Sequence, residues 1–324
     1  MKVPLAALDV APVWADTTAT RSLRNTIALA ERLEELGYGR FWIAEHHNVP
    51  SLATSATAVL VGAVAAATST IRVGSGGVML PNHAPLVVAE QFGTLEALHP
   101  GRIDLGVGRA PGSVGAATAQ LLRRVETDFR GQLTELAGYF ADGAPAHAGA
   151  AAENRPPMIL LGSSPDSARL AGELGLPYAY AHHINPAATV ESVAAYHESF
   201  RPGPHAERPY VLIAALVIAA DTDEAARALA APFLVGHIQM RAGNLDALFP
   251  TPAQAADFPY TPAQREWATD RLDRQVWGSP SRVRDRVAEL FRATGADELM
   301  AVTIVHDHAS RIRSYELLAE ACRQ

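Results

Sequence analysis

The sequence is almost devoid of two reactive residue types. Cys322 is the only cysteine in 324 residues, and Lys2 is the only lysine. A single cysteine excludes internal disulfides, cysteine-based zinc sites and paired redox motifs. Schiff-base catalysis needs a lysine amine that faces the substrate, and Lys2 lies at the very start of the first predicted strand. Aldolase-type and pyridoxal-type enzymes are therefore excluded.

Positive charge and long apolar runs are also scarce. The 27 Lys and Arg residues against 34 Asp and Glu give a formal net charge of −7, whereas a nucleic-acid-binding protein presents a basic face. The amino terminus lacks the apolar core of a signal peptide, and no stretch is long enough to cross a bilayer. Hydrophobic residues make up 48% of the chain, which is typical of globular proteins. We predict a soluble, cytoplasmic protein that binds neither nucleic acid nor membranes.

Short apolar runs alternate with amphipathic stretches along the chain. In the stretch 21–36, for example, Leu23, Ile27 and Leu33 share one helical face. Strands that are apolar on both faces and alternate with helices are typical of a parallel sheet closed into a barrel. We predict an α/β fold, a single (β/α)8 TIM-barrel domain over residues 1–324. The eight predicted strands are 3–10, 40–46, 71–80, 102–109, 157–163, 178–183, 210–220 and 298–306.

One connection breaks this alternation. A proline-rich segment over about 237–280 separates strands 7 and 8 and is too long for an ordinary barrel loop. We predict that this insertion is a lid or a flanking subdomain. The patterns also predict helices at 116–140, 222–235 and 309–322.

Polar clusters follow several predicted strands at their carboxyl ends. In a (β/α)8 barrel these ends meet at one face, where the active site lies. We therefore expect the clusters to lie close together. They are Glu45 to His47, Gly106 to Gly112, Gly162 to Ser164, His182 with His183, and His306 to His308. Of these, His182 and His183 are expected to line the pocket.

The histidines of these clusters have two interpretations. Converging neutral imidazoles could hold a zinc or iron ion with an open position, as in a metal-dependent hydrolase. However, the first strand offers only Asp9 as a metal ligand, and the adjacent His46 and His47 should point to opposite sides. The alternative is that histidines at strand ends hydrogen-bond to loops.

Two glycine-containing loops are candidate phosphate sites. The segment GVGRAPG (106–112) has the spacing GxGxxxG, so it does not match the dinucleotide-binding fingerprint GxGxxG. Arg109 within it is either a phosphate clamp or a surface arginine. Gly162, Ser163 and Ser164 precede a predicted helix, whose amino terminus attracts phosphate, although Ser164 is equally explained as a helix cap.

Two glycines interrupt the third predicted strand. Glycine weakens a strand unless the backbone bends or a ligand must approach it closely. Gly76 and Gly77 would therefore either let a flat aromatic ring pack against bare backbone or mark a bend of the barrel wall.

Three long blocks, taken in order, resemble the bacterial luciferase-like family of flavin-dependent oxidoreductases. They are FWIAEHH (41–47), VGSGGVMLPNHAPLVVAEQFGTLEALHPGRIDLGVGRAPG (73–112) and LLGSSPDSARLAGELGLPYAYAHH (160–183). The resemblance is close over residues 3–183 and looser beyond them.

This resemblance implies an FMN-binding (β/α)8 barrel that is often a homodimer. It implies that His46 is catalytic, with Glu45 beside it, and that the Gly76–Gly77 peptide is cis behind the flavin ring. Arg109 matches a phosphate-contacting arginine of the family. Gly162, Ser163 and Ser164 match its phosphate loop.

The resemblance also implies the chemistry. We expect a monooxygenase that uses reduced FMN and O2 on a small organic substrate, with a separate flavin reductase as the source of reduced flavin. Gly108 stands where luciferase itself has a reactive cysteine, which argues against light emission. The alternatives are an F420-dependent hydride-transfer enzyme, a metal-dependent hydrolase and a flavin-binding protein without turnover. The deazaflavin F420 is disfavoured because its anionic tail needs more basic contacts than can be identified in this sequence.

Overall fold

The strands form one parallel sheet that closes on itself. The computed structural model describes residues 3–110, 112, 128–141 and 146–323, and within them eight strands pair in a ring in which β6 pairs with β7, β7 with β9 and β9 with β1. The strands are β1 (Leu5–Asp9), β2 (Arg40–Ile43), β3 (Arg72–Met79), β4 (Ile103–Gly108), β5 (Met158–Gly162), β6 (Tyr178–Ala181), β7 (Val211–Ala219), β8 (Val276–Gly278) and β9 (Glu298–Val302). The predicted (β/α)8 barrel is confirmed.

Helices follow the strands and cover the outside of the barrel. Within the described ranges they are α1 (Ala19–Glu35), α2 (Thr57–Ala67), α3 (Pro85–Leu98), α4 (Phe129–Tyr139), α5 (Pro165–Glu173), α6 (Thr189–Ser199), α7 (Asp223–Arg241), α8 (Pro252–Ala256), α9 (Pro262–Asp273), α10 (Pro280–Thr294) and α11 (His308–Arg323). None of these helices combines the length and apolarity that a bilayer span requires. Of the helix predicted over 116–140, residues 116–127 lie outside the described residues.

Alternate side chains of each strand enter two different apolar layers. In β1, Ala6 and Leu8 point into the barrel interior, where they pack near Trp42, while Ala7 belongs to the layer between sheet and helices. In β7 all nine residues are buried. Both faces of the strands are therefore buried, which explains why the strands are continuously apolar in the sequence.

The insertion between β7 and the last barrel strand contains more regular structure than predicted. Helix α7 runs on to Arg241 with Pro232 inside it, so the predicted boundary at 237 falls within this helix. Helices α8 and α9 follow, and β8 then pairs with the end of β7, where Val217 lies opposite Val276. Strand β7 is long enough to pair with both β9 and β8, which makes β8 a ninth strand that the sequence patterns did not predict.

Candidate functional site

His46 lies just after β2, at the carboxyl-terminal rim of the barrel. Its backbone N–H donates to the Thr54 carbonyl at 2.7 Å, and its Nδ1 lies 3.2 Å from Thr54 Oγ1. The Thr54 hydroxyl donates to the Val10 carbonyl at 3.5 Å, which leaves it free to accept from a protonated Nδ1. His46 then presents Nε2 as its proton acceptor.

Burial keeps the His46 imidazole neutral. Desolvation is the largest influence on its pKa, and the charge of His183 acts in the same direction. Together they lower the pKa of His46 from 6.5 to about 4, against the opposing effect of Glu45. At neutral pH the ring is therefore a base or a neutral hydrogen-bonding group rather than a cation.

Two further histidines share the environment of His46. His183 follows β6 and donates from Nδ1 to the Ala214 carbonyl at 2.9 Å. His237, in α7, donates from Nδ1 to the Phe233 carbonyl at 3.2 Å. Burial is again the main cause that lowers each pKa to about 4, and the charge of His183 acts on His237 in the same direction. The rim thus holds three neutral imidazoles, of which His237 was not predicted.

His182 has a different role from the one that the sequence suggested. The ring is buried, with Nδ1 2.7 Å from Thr189 Oγ1 and Nε2 2.9 Å from the Arg274 carbonyl. Both nitrogens are used within the protein, and the second bond ties β6 to the end of α9. The expectation that His182 lines the pocket is therefore wrong, because neighbouring residues at a strand end point to opposite sides.

Glu45 is the centre of a buried hydrogen-bonded cluster. Its Oε1 accepts from His47 Nε2 at 2.9 Å and from His83 Nε2 at 2.8 Å, and its Oε2 accepts from the Met79 N–H at 3.3 Å. Burial acts to raise the pKa of Glu45, but the hydrogen bonds and charges of His83 and His47 outweigh it and lower the pKa. Glu45 is therefore an ionised carboxylate that positions three other groups, His47, His83 and the Met79 N–H.

The same cluster resembles a metal site in composition. Among the described residues, Glu45, His47 and His83 are the one set of three potential ligands whose donor atoms lie within 4.8 Å of one another. Ligands 2.0 to 2.1 Å from a tetrahedral zinc ion would lie roughly 3.3 Å apart. The contacts of Glu45 Oε1 are shorter than this, at 2.8 and 2.9 Å, which is typical of direct hydrogen bonds.

His306 and Asp9 have partners of their own, whereas His308 Nε2 is buried without a hydrogen-bond partner in the described part of the chain. His306 lies 3.0 Å from Asp16 and packs edge-on against Trp14. Asp9 is fully buried and pairs with Arg311 Nη2 at 2.5 Å. This strand-one carboxylate is thus committed to an internal ion pair, which leaves the metal-hydrolase interpretation without its first ligand.

The Gly76–Gly77 peptide is cis, as the resemblance implied. A Cβ on Gly76 would lie 2.5 Å from Leu8 Cδ1, and one on Gly77 would lie 2.9 Å from the Gly106 carbonyl oxygen. Pairing between β3 and β4 also shifts register at this point. Packing against the barrel interior and against β4 therefore requires both glycines, and the bend that we considered is present.

The loop after β5 is held by side chains from α5 and from the segment that follows β6. Ser164 is the N-cap of α5 in a reciprocal capping box with Ser167, so the cap interpretation is confirmed. Ser167 Oγ donates to the Ser164 carbonyl at 2.7 Å, and Asn185 Nδ2 donates to the Ser163 carbonyl at 3.0 Å. A Cβ on Gly162 would lie 2.0 Å from Ser167 Oγ. With its carbonyls fixed in this way, the loop has a defined shape at the helix amino terminus.

The loop after β4 reaches the loop after β2. Arg109 is exposed directly beyond β4, and Gly112, with φ at +61°, accepts from the His47 N–H at 2.7 Å. A Cβ on Gly112 would lie 2.7 Å from the Glu45 carbonyl oxygen. Residue 111 of the predicted phosphate loop (106–112) lies outside the described residues, as do residues 113–127 that follow it. Arg109 and Glu45 are thus brought to the same rim, as predicted.

Comparison with known proteins identifies the family. The model of the luciferase-like monooxygenase family matches residues 3–298. A luciferase-like monooxygenase of Escherichia coli K12 is 38% identical over 97% of this chain and 96% of its own length. An N-acetyl-S-alkylcysteine monooxygenase of Bacillus subtilis is 41% identical over 69% of this chain and 70% of its own. The chain belongs to the luciferase-like monooxygenase family and is a flavin-dependent monooxygenase or oxidoreductase.

Solved structures agree with the fold. That of apo-MsnO8 superposes with a TM-score of 0.91 at 40% identity and covers 99% of this chain and 98% of its own. An FMN complex of the oxygenating constituent of 3,6-diketocamphane monooxygenase from Pseudomonas putida has a TM-score of 0.72 at 19% identity. An F420-dependent tetrahydromethanopterin reductase of Methanopyrus kandleri has a TM-score of 0.67 at 17% identity. Proteins of this fold thus bind FMN or F420.

Proposed function

We propose that this protein is an FMN-dependent monooxygenase that uses reduced FMN and O2 to oxygenate a small organic substrate. The observation that supports this most is the neutral His46 imidazole, which lies at a rim where the loops after β2, β4 and β5 meet. A separate flavin reductase supplies the reduced flavin, and the protein acts in the cytoplasm.

The donors at the rim fit FMN. Arg109 offers an exposed guanidinium, while Ser163, Ser164 and the amino terminus of α5 offer neutral hydroxyl and N–H donors to a phosphate. Gly162 adds no side chain at the start of this loop, and the cis Gly76–Gly77 backbone would lie behind the ring. When bound, reduced FMN supplies the electrons that activate O2.

His46 acts as a proton acceptor or hydrogen-bonding group at the reacting end of the substrate. Its Nε2 can accept a proton or accept a hydrogen bond, because Nδ1 is directed at Thr54. The surrounding burial excludes water and keeps the ring neutral. Glu45 acts through its neighbours, since it holds His47, His83 and the Met79 N–H.

A relative's name suggests a first substrate. Because the Bacillus subtilis N-acetyl-S-alkylcysteine monooxygenase is 41% identical, we would assay N-acetyl-S-methylcysteine with the protein, FMN, NADH and a flavin reductase. The His46→Ala variant should bind FMN normally but lose about 100- to 10,000-fold in turnover, the usual contribution of a general acid or base. Product is followed by mass spectrometry in ¹⁸O2.

The matched control is His306→Ala, which removes a rim histidine that pairs with Asp16. Its turnover should stay close to that of the unaltered protein. Full turnover by His46→Ala would contradict the role of His46, and tighter binding of F420 than of FMN would favour the hydride-transfer alternative. Failure to bind either cofactor would overturn the proposal as a whole.

The protein acts as a homodimer of which α2 forms part of the interface. This helix, TAVLVGAVAAA, is apolar on all sides, yet Val59 is 75% exposed, and Leu98 at the end of the neighbouring α3 is 69% exposed. A second copy of the chain would cover this surface. Light scattering should give twice the mass of 34.4 kDa, and Val59→Asp should give monomers. A monomeric unaltered protein would contradict this.

A further inference from the structure

Arg271, in helix α9 of the insertion, is a half-buried cation that no carboxylate neutralises among the described residues. Its Nη2 donates to the His183 carbonyl at 3.0 Å, while its Nε is buried without a hydrogen-bond partner. Burial lowers the pKa of Arg271, and the charge of Arg241 lowers it further. A desolvated guanidinium with one neutral acceptor is unfavourable unless a ligand completes its shell.

The carboxylates nearest to Arg271 in the sequence are used elsewhere. Asp270 accepts from Arg274 at 2.9 Å, and Asp273 lies 3.6 Å from Arg282. Both are on the same helix as Arg271, but each pairs with another arginine. The helix therefore supplies Arg271 with no counter-ion of its own.

The groups around Arg271 include neutral imidazoles and aromatic rings. The charge of Arg271 acts on both His183 and His237. The His237 ring centroid lies 4.2 Å from that of Phe233 and 6.2 Å from that of Phe249. An anion that enters here would meet the Arg271 guanidinium beside aromatic rings, where a charge-assisted hydrogen bond is strong, and the nearby charge of Arg241 would add to the attraction.

We propose that Arg271 binds an anionic group of the organic substrate, of the carboxylate or sulfonate class, and so selects acids over their neutral analogues. This inference rests on the proposed function, because it places the substrate between Arg271 and His46. The flavin phosphate has its own donors on the loops after β4 and β5, whereas Arg271 lies over the end of β6. The two anions are thus assigned to different parts of the rim.

The test uses two matched pairs of probes, each an acid and its amide: N-acetyl-S-methylcysteine and phenylacetic acid. Calorimetry on the FMN-loaded protein should find tighter binding of at least one acid than of its amide. Arg271→Gln should weaken the binding of that acid by about tenfold to a hundredfold, the usual range for losing a hydrogen bond to a charged group. The binding of the amide should not change. Arg271→Lys, which keeps the charge, should retain part of the preference.

Arg265→Gln is the control, because Arg265 lies on the same helix but packs over the Tyr260 ring at 5.2 Å. It should bind both members of each pair as the unaltered protein does. Equal binding of acid and amide in both pairs would overturn the inference, and so would an equal loss in the Arg265 variant. Circular dichroism and thermal unfolding check that each variant is folded.

Two further measurements separate this inference from its alternatives. If Arg271 bound the flavin phosphate, Arg271→Gln would lose the preference for FMN over riboflavin, and the inference would be wrong. Titrating the acids into the flavin-free protein tests the anion site independently of the proposed function. Arginine-dependent acid binding in a protein that binds no flavin would support the anion site and contradict only the monooxygenase proposal.

Discussion

The two ends of the barrel treat charge in opposite ways. At the amino-terminal end, Asp104 in β4 is fully buried and accepts from Arg40 at 2.6 Å, from Arg72 at 2.6 Å and from Trp42 Nε1 at 2.9 Å. Arg40 also donates to Glu298 at 3.0 Å. Each charge at this end has partners within the protein.

At the carboxyl-terminal end, several polar groups have no charged partner within the described part of the protein. His46, His183 and His237 are held neutral by burial, and Arg271 has no carboxylate partner among the described residues. The amino-terminal end therefore stabilises the fold, while the other end keeps polar groups available to ligands at a cost in stability. This division is the one expected of a (β/α)8 barrel.

The largest effect expected of a single substitution on stability concerns the amino-terminal end. Asp104→Asn removes the charge that two arginines share, and breaking a buried ion pair on one side costs about 3 to 5 kcal/mol of the free energy of unfolding. Urea denaturation measures this. Asp285→Asn, which breaks an exposed pair with Arg284, should cost less than about 1 kcal/mol. Similar losses in the two variants would erase the contrast between buried network and surface.

The second prediction concerns pH and the carboxyl-terminal end. Because the folded-state pKa values of His46, His183 and His237 lie near 4 instead of 6.5, the unfolded chain binds more protons between these values. Stability should be full above about pH 6.5, fall as the pH drops to about 4, and lose at most about 3 kcal/mol per histidine. Urea unfolding at a series of pH values tests this.

His237→Phe provides the control for that pH series. The variant keeps an aromatic ring beside Phe249 but removes one titrating group, so its stability should fall less steeply between pH 6.5 and 4. An unchanged slope would show that the acid sensitivity arises elsewhere.

Glu45 is an exception at the carboxyl-terminal end, since it is a buried charge whose hydrogen bonds are all made within the protein. Glu45→Gln should lose about 2 kcal/mol of the free energy of unfolding, the range for hydrogen bonds to a charged group. Turnover should fall much less than in His46→Ala, because Glu45 acts only through its neighbours. Glu289→Gln, in an exposed pair with Arg286, is the control. A turnover loss as large as that of His46→Ala would make Glu45 a direct participant.

The smallest effect separates helix capping from phosphate binding. Ser164→Ala should cost about 1 kcal/mol, as loss of an N-cap usually does. Thr251→Ala removes an equivalent capping box in α8 and should cost a similar amount. Only Ser164→Ala should weaken the binding of FMN relative to that of riboflavin, as measured by fluorescence titration. Equal FMN affinity in the two variants would limit Ser164 to its cap.

The barrel and the positions of several site residues could be predicted from the sequence. Strands buried on both faces leave continuous apolar runs, and residues that follow such runs must meet at one rim. This reasoning placed His46, Glu45 and Arg109 correctly at that rim, although their roles remain predictions. It also predicted that Ser164 caps a helix.

Other features left no local signal in the sequence. Strand β8 is three residues long, VWG, and forms only because β7 extends beyond its pairing with β9. His83, His237 and Arg271 join the rim through tertiary packing rather than through a motif. His182 was assigned to the pocket because it follows a strand, although the side to which its ring points depends on the exact strand end. The partners of each polar group were thus beyond the sequence patterns.

The insertion is fastened to the barrel at both of its ends. Phe249 exchanges backbone hydrogen bonds with Val13 and Ala15 at 3.1 and 2.8 Å, and Gln275 accepts from the Leu216 N–H at 3.1 Å. Between these two fastenings lie α8 and α9 with Arg271. For enzyme engineering, this makes the segment from 251 to 274, which contains both helices whole, a cassette. We expect that it can be exchanged between family members to transplant substrate preference while the barrel keeps its register.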